Sequence, residues 1–281
     1  MNTPRSRWVT AGVLLFLVIL ALVVRNQVKV YRSHQARAAD AREKARVRNA
    51  LFDLLQPVAL ANCQLQRFGE KNDGGYLMCG NLLGEVRAGY SYGISGYDQW
   101  GCDISTTLGV KLHQYDCFNT DKPACPRGAT VFHAECVAEG RRTTDGRVFD
   151  TIENQLARNG DGANRIVLKM DVEGAEWDAF LHASDAVLDR IDQIAVEFHG
   201  AGEANHVRAL ERLKQFFHVV HLHFNNFSCD PYLDPFPTWA YEVLFVNKRL
   251  GVVDPSSRPA IPHPLDAPNN PKAADCLQKT R

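Results

Sequence analysis

An apolar run, Ile166-Val167-Leu168-Lys169-Met170, is followed at once by Asp171, Glu173 and Glu176, with Gly174 between them. A buried strand that ends this way delivers carboxylates to one sheet edge, and Glu176 then falls in the first turn of a helix, where the dipole favours an anion. Carboxylates so close together repel one another unless they bind something, so this cluster is the first candidate site. The competing reading, a solvated surface, fits poorly after so apolar a strand. A second run, Ile194-Ala195-Val196-Glu197-Phe198-His199, alternates in a way that puts Glu197 and His199 on one face at its end. A third, Val219-Val220-His221-Leu222-His223-Phe224-Asn225, does the same for His221, His223 and Asn225. A lone core histidine would explain one of these residues and not all of them. Histidine beside carboxylate is the equipment of general acid and base chemistry, so His199 is read as a base helped by Glu197, with His223 as the next candidate. Asp171, Glu197 and His199 also supply oxygen and nitrogen donors, and a divalent metal held by these three is a variant of the same site.

Upstream lies a different kind of signal. Tyr90-Ser91-Tyr92-Gly93-Ile94-Ser95-Gly96-Tyr97-Asp98 reads as a strand entering a glycine turn before a helix, where missing side chains let a cofactor approach the backbone. A Gly-x-x-Gly after a strand is also an ordinary tight turn, and the full G-x-G-x-x-G spacing is absent. Asp116 ends the next strand-like run, Val110-Lys111-Leu112-His113-Gln114-Tyr115, and is placed to accept hydrogen bonds from ribose hydroxyls. Glu135, after Phe132-His133-Ala134, is placed to meet an adenine.

These residues need elements to hold them. From about Arg87, short β-rich runs alternate with helical stretches, which implies a mostly parallel sheet covered by helices on both faces. The strands fall at 88–93, 110–115, 130–136, 165–170, 191–198, 218–224 and 241–246, and the helices at 103–108, 147–158, 177–188 and 204–216. The last two strands form an antiparallel pair. The fold class is therefore α/β and Rossmann-like, with a seven-stranded sheet whose strand ends carry the candidate residues.

Outside that domain, Trp8–Val24 carries no charge and is about the shortest run that spans a bilayer, so residues 1–27 read as an uncleaved membrane anchor. The nearest small-x-small site, Ala36-Arg37-Ala38, lies too far on for a cleaved signal peptide. Residues 28–57 are rich in Ala, Arg and Glu and read as a helical stalk ended by Pro57, residues 58–250 as the domain, and 251–281 as an extended tail with six prolines. Basic residues after the span (Arg25, Lys29, Arg32, Arg37 and onward) outnumber Arg5 and Arg7 before it, which places the domain on the cytoplasmic side. Lys+Arg and Asp+Glu are equal at 32 each, which argues against nucleic acid and for a small or neutral substrate. The eight cysteines form no CxxC pair and so give no zinc signal. Their even number permits disulfides, but they are read as buried thiols acting as small hydrophobes.

With these residues laid out, the chain resembles the FkbM-like methyltransferases, and within them the methyltransferase-like protein 24 type. Arg67-Phe68-Gly69, Asp73-Gly74-Gly75-Tyr76 and Cys79 resemble the family's lead-in, Ser91-Tyr92-Gly93-Ile94 its donor-binding turn, and Leu168-Lys169-Met170-Asp171-Val172-Glu173-Gly174-Ala175-Glu176 its hallmark. Glu197-Phe198-His199, His223-Phe224-Asn225-Asn226 and Tyr241-Glu242-Val243 follow in the family's order. The resemblance implies a class I methyltransferase fold, S-adenosylmethionine as donor, and a hydroxyl of a sugar or other small metabolite as acceptor. Gly93, Gly96, Asp116, Glu135, Asp171 and Glu173 are then the donor-binding candidates. Two other readings remain: a nicotinamide-dependent oxidoreductase, and a membrane-anchored domain that binds without turnover.

Overall fold

The computed structural model describes residues 4–276. Two compact units divide the chain, residues 1–46 and residues 47–281. The first is helical and consists of most of α1 (Pro4–Leu54), whose run of Ala, Arg, Lys and Glu after Val24 has high helix propensity. Among the described residues no helix is long and apolar enough to cross a membrane. The expected anchor, Trp8–Val24, falls on side chains outside the described residues except Leu17, Leu22 and Val24.

The second unit begins with the last turns of α1, where Val47, Leu51 and Phe52 are buried. It continues through β1 (Leu65–Gly69), β2 (Gly75–Cys79), β3 (Ala88–Tyr92), α2 (Gln99–Leu108), β4 (Lys111–Tyr115) and β5 (Ala129–His133). Then come β6 (Glu135–Val137), β7 (Arg142–Thr144), β8 (Arg147–Asp150), α3 (Ile152–Arg158) and β9 (Ile166–Met170). The rest is α4 (Glu176–His182), α5 (Asp185–Arg190), β10 (Ile191–His199), α6 (Ala204–Phe216), β11 (Phe217–Phe224) and β12 (Ala240–Asn247).

Seven strands form the main sheet in the order β11-β12-β10-β9-β3-β4-β5. Strands β5, β4, β3, β9 and β10 run parallel, and β12 is antiparallel to both of its neighbours. The expected antiparallel pair is therefore present, with its second member inserted between β10 and β11. Every residue of β3, β9, β10 and β12 is buried, as helices on both faces require. Alternation sends Tyr90, Tyr92, Leu168 and Met170 into a larger core on one face. Val167, Leu112, Ile104 and Trp100 join a smaller core on the other.

Several expected elements are corrected. The helix expected over 147–158 is strand β8 followed by α3: Val148 and Phe149 pair with neighbouring strands, and the Thr151 hydroxyl accepts from Asn154 N to start the helix. The helix expected over 177–188 is two, because Ala183 is extended and Ser184 caps a new start. The strand expected over 130–136 breaks at Ala134, with β5 in the main sheet and β6 in a three-stranded one, β6-β8-β7. The β1–β2 hairpin was not anticipated.

The cysteines are also corrected. All eight are paired, Cys63–Cys79, Cys102–Cys125, Cys117–Cys136 and Cys229–Cys276. Sequence separations of 16 to 47 residues hid this geometry, since no short spacing announces it.

Candidate functional site: two cavities with a common wall

Strands β3 and β9 lie side by side, and connections leave them in opposite directions across the sheet, to β4 on one side and β10 on the other. Their carboxyl ends therefore open a crevice at the switch point of the sheet. Gly93 closes β3 there: its N–H donates to Tyr115 O at 2.9 Å, while Asp171 N donates to Tyr92 O at 3.1 Å. With φ at +72° and a hypothetical Cβ only 1.6 Å from the Asp171 carbonyl oxygen, this position admits only glycine. Asp116, at the end of β4, braces the turn. Its Oδ2 accepts from Ile94 N (3.2 Å) and Ser95 N (2.8 Å), and its Oδ1 accepts from Phe118 N (2.8 Å) and Asn119 N (2.9 Å). Those four amides occupy about as many lone-pair sites as a carboxylate offers. Asp116 thus acts first through the turn, not through free oxygens held for a ribose.

A cavity of about 290 Å³ opens beside this turn, lined by Gly93, Asp116, Phe118, Val137, Phe149, Asp171 and Glu173, among others. Phe118 is largely exposed at its rim, with the Arg147 guanidinium 4.5 Å above its ring. The Cys117–Cys136 disulfide ties the loop after Asp116 to β6, so both sides of the cavity are covalently joined. Two expected donor-binding residues stand outside this lining. Gly96 has φ at +78° but faces Asn119 and Asp121, and Glu135 is tied to Arg158, which also holds Asp150.

A second cavity, of about 250 Å³, lies on the other side of Asp171 and Glu173, which line both. Asp73, Glu197, His199, Asn225, Phe227 and Trp239 contribute to it. The His199 ring is held at both ends of its neighbourhood. Nδ1 lies 2.9 Å from Glu176 Oε1, and Nε2 points to Glu173 Oε2 at 3.5 Å and Asp171 Oδ1 at 3.9 Å. Its carbonyl oxygen accepts from Trp177 Nε1 at 2.8 Å. Burial by itself would lower the imidazole's pKa, but the Glu176 hydrogen bond and the charges of Glu176, Glu197 and Asp171 outweigh it and hold it up at about 9.

The partner of His199 is Glu176, where Glu197 was expected. Glu176 is fully buried, and its Oε1 also accepts from Val172 N at 2.9 Å. The signal was present, since Glu176 begins α4 within the carboxylate cluster, but nothing in the sequence shows that α4 turns it towards β10. Glu197 instead accepts from Asn225 Nδ2 at 2.5 Å. Burial, then the nearby charges of Asp171 and Glu242, push its carboxyl well above the usual range. Geometry corrects the expected metal set of Asp171, Glu197 and His199: among the described residues the three groups whose ligand atoms lie within 4.8 Å of one another are Asp171, Glu173 and His199. His223 is turned away from the cavity and pairs with Glu242 at 3.2 Å, while His221 pairs with Asp266 at 2.8 Å.

The proline-rich tail packs behind this second cavity and contacts Asp73 of its lining. Asn269, 2% exposed, donates from one amide group to Asp73 Oδ1 (3.0 Å) and Glu242 Oε1 (2.7 Å). Asn226 Nδ2 is within reach of Asn270 O (3.0 Å) and Ala273 O (3.1 Å), and the Cys229–Cys276 disulfide fixes the same segment to the loop before β12. Trp239 and Asn269 have no strand-end position to mark them in the sequence, and Asp73 stands out there only in the family lead-in, not as a site residue.

Compared with known proteins, the chain matches no family model and no curated protein.

Proposed function

We propose that the domain is a methyltransferase that binds S-adenosylmethionine in the cavity beside Gly93 and Asp116 and its acceptor in the cavity beside His199. The observation that carries this reading is the common wall. Methyl transfer from a sulfonium is an in-line displacement, so donor and acceptor must meet at attack distance across one boundary, and Asp171 and Glu173 form such a boundary. Gly93 lets the methionine moiety approach the backbone, Asp116 fixes the amides of the turn, and the Tyr92–Phe149 side receives the nucleoside. The cationic sulfonium sits against Asp171 and Glu173. On the other side, Asp171, Glu173 and His199 hold the acceptor's nucleophilic oxygen, its proton passes to the Glu173 carboxylate at the solvent-exposed mouth, and Glu176 fixes the imidazole that faces it. Trp239 and Phe227 offer aromatic faces of the kind on which a sugar ring packs, which favours a glycan or other polyhydroxylated acceptor.

Two features weigh against a nicotinamide enzyme. A dinucleotide pyrophosphate needs a free helix N-terminus directly after the first glycine turn, but here α2 starts at Gln99 and its N-terminus is capped by the Asp98 carboxylate, 2.8 Å from Gly101 N. A dinucleotide sheet in the order 3-2-1-4-5-6 also lacks a reversed strand inserted before its last. Mixing the purified full chain with either cofactor at about a hundred times its dissociation constant tests this. S-adenosylmethionine is expected to raise the melting temperature by about 5–10 °C, and NAD is not. A shift with NAD alone would overturn the reading. Labelled donor incubated with cell extract, then fractionated into glycan, lipid, protein and small-molecule pools, identifies the acceptor; donor binding without any labelled product would favour the silent binding domain.

Four disulfides that use every cysteine favour maturation in an oxidising compartment. We therefore propose the non-cytoplasmic side for the domain, against the side that the basic residues after Val24 favour, with Trp8–Val24 as its membrane anchor. Alkylation of the denatured, unreduced protein is expected to label no thiol; labelling of most of the eight would restore the cytoplasmic placement.

A further inference from the structure

We infer that Asp171, Glu173 and His199 bind a divalent cation whose open coordination positions face the acceptor cavity. The inference deepens the methyl-transfer reading by giving the acceptor wall an ion, and only the acceptor's place at that ion rests on that reading. His199 supplies the first observation. Its side chain is 5% exposed, its Nδ1 is occupied by the buried Glu176, and its Nε2 makes no hydrogen bond among the described residues while pointing at two carboxylates. An imidazole fixed by a carboxylate on Nδ1, whose Nε2 can exchange its proton and its long carboxylate pairs for an ion, is the arrangement that orients a metal ligand. Asp171 supplies the second. Its Oδ2 is engaged by the Tyr76 hydroxyl at 3.3 Å and the Lys169 ammonium at 3.5 Å, which leaves Oδ1 turned to His199 Nε2. Glu173, its side chain 78% exposed, closes the set from the mouth of the site.

The three ligand atoms lie within 4.8 Å of one another. Neighbouring donors around an ion at about 2.1 Å stand about 3 Å apart, so the separations of 3.5 Å and 3.9 Å from Nε2 need to contract by less than an ångström. Two carboxylates and one imidazole suit Mn²⁺ or Mg²⁺ better than a thiolate-seeking ion. Three protein ligands leave the remaining positions for water and for oxygens of the acceptor, and a pair of neighbouring hydroxyls is the chemistry that fills two of them.

Titration of the purified full chain with Mn²⁺, followed by the electron paramagnetic resonance signal of the free ion, tests the site. One ion per chain is expected. Glu173→Gln and His199→Gln should each weaken binding at least tenfold, and Glu176→Gln by about 10- to 100-fold through the misaligned ring. Glu197→Gln should change it less than threefold. Absence of stoichiometric binding, or an equal loss in Glu197→Gln, would overturn the inference. Melting temperatures of the same samples show that each variant is folded. The donor-induced shift, measured in parallel, separates failure of the cation site from failure of the methyltransferase reading.

Discussion

The two cavities that meet at Asp171 and Glu173 are built by opposite means. On the donor side the backbone does the work: a glycine that tolerates positive φ, a carboxylate saturated by four amides, and a disulfide across the rim. On the acceptor side, side chains carry the site: Glu197 and His199 from β10 and Glu176 from α4 are buried together, Asp73 and Glu173 reach in from more exposed positions, and Asn269 joins Asp73 to Glu242. A backbone-built pocket is preorganised by local turns and needs only a few residue types. A pocket of buried charges depends on each partner being present, because removing one leaves another desolvated and unpaired.

That contrast can be broken or sharpened by experiment. The largest effect is expected at the acceptor wall, where His199→Gln should lower kcat by about 10²- to 10⁴-fold while leaving the donor-induced melting shift intact. A variant that loses the shift as well would mean the two cavities are not separable. Next, Gly93→Ala places a methyl group against the Asp171 carbonyl and should destabilise the domain by about 4 kcal/mol, read from denaturant unfolding, and abolish the donor shift. Replacing Cys117 and Cys136 together by serine opens a loop of 19 residues and should cost about 3 kcal/mol. Its effect on turnover should appear in donor KM and leave acceptor KM unchanged.

A smaller effect is expected on acidification. His206 is buried against Trp177, with ring centroids 4.1 Å apart, and burial lowers its pKa to about 4. Because the folded value lies below the unfolded one, its contribution to stability is fully present above about pH 6.5 and is lost as the pH falls towards 4, by roughly 2–3 kcal/mol. His206→Phe should flatten that part of a stability-against-pH curve; an unchanged slope would assign the acid sensitivity elsewhere. Smallest of all, Trp239→Ala should raise acceptor KM about tenfold, with kcat and donor binding unaffected. Equal damage to kcat would make Trp239 a part of the wall and not of its rim.

The same contrast explains what could be read from the sequence. Gly93, Asp116 and the Asp171–Glu176 cluster were legible because the parallel strands that carry them are short and closed by turn residues or carboxylates, and strand ends are where a sheet of this kind opens. Most strands and the amphipathic α6 were legible from periodicity for the same reason. Strand β8 was mistaken for helix because Arg147–Asp150 is too short to show a period and its partners, β6 and β7, are themselves three residues long. Glu176 was seen but not its role, since its contact with His199 spans 23 residues and depends on the rotation of a seven-residue helix. The disulfides and the tail contacts were invisible because they join segments whose proximity only the closed sheet creates.

Asn269 has one more consequence, for the order in which the two pockets come into being during synthesis. The lining of the donor cavity ends at Ala175, so that pocket can assemble while the later chain is still emerging from the ribosome. The hydrogen bond from Asn269 to Asp73 spans 196 residues of chain and must wait for nearly all of it. Until then Asp73, which lines the cavity beside His199, lacks the tail amide that holds its carboxylate.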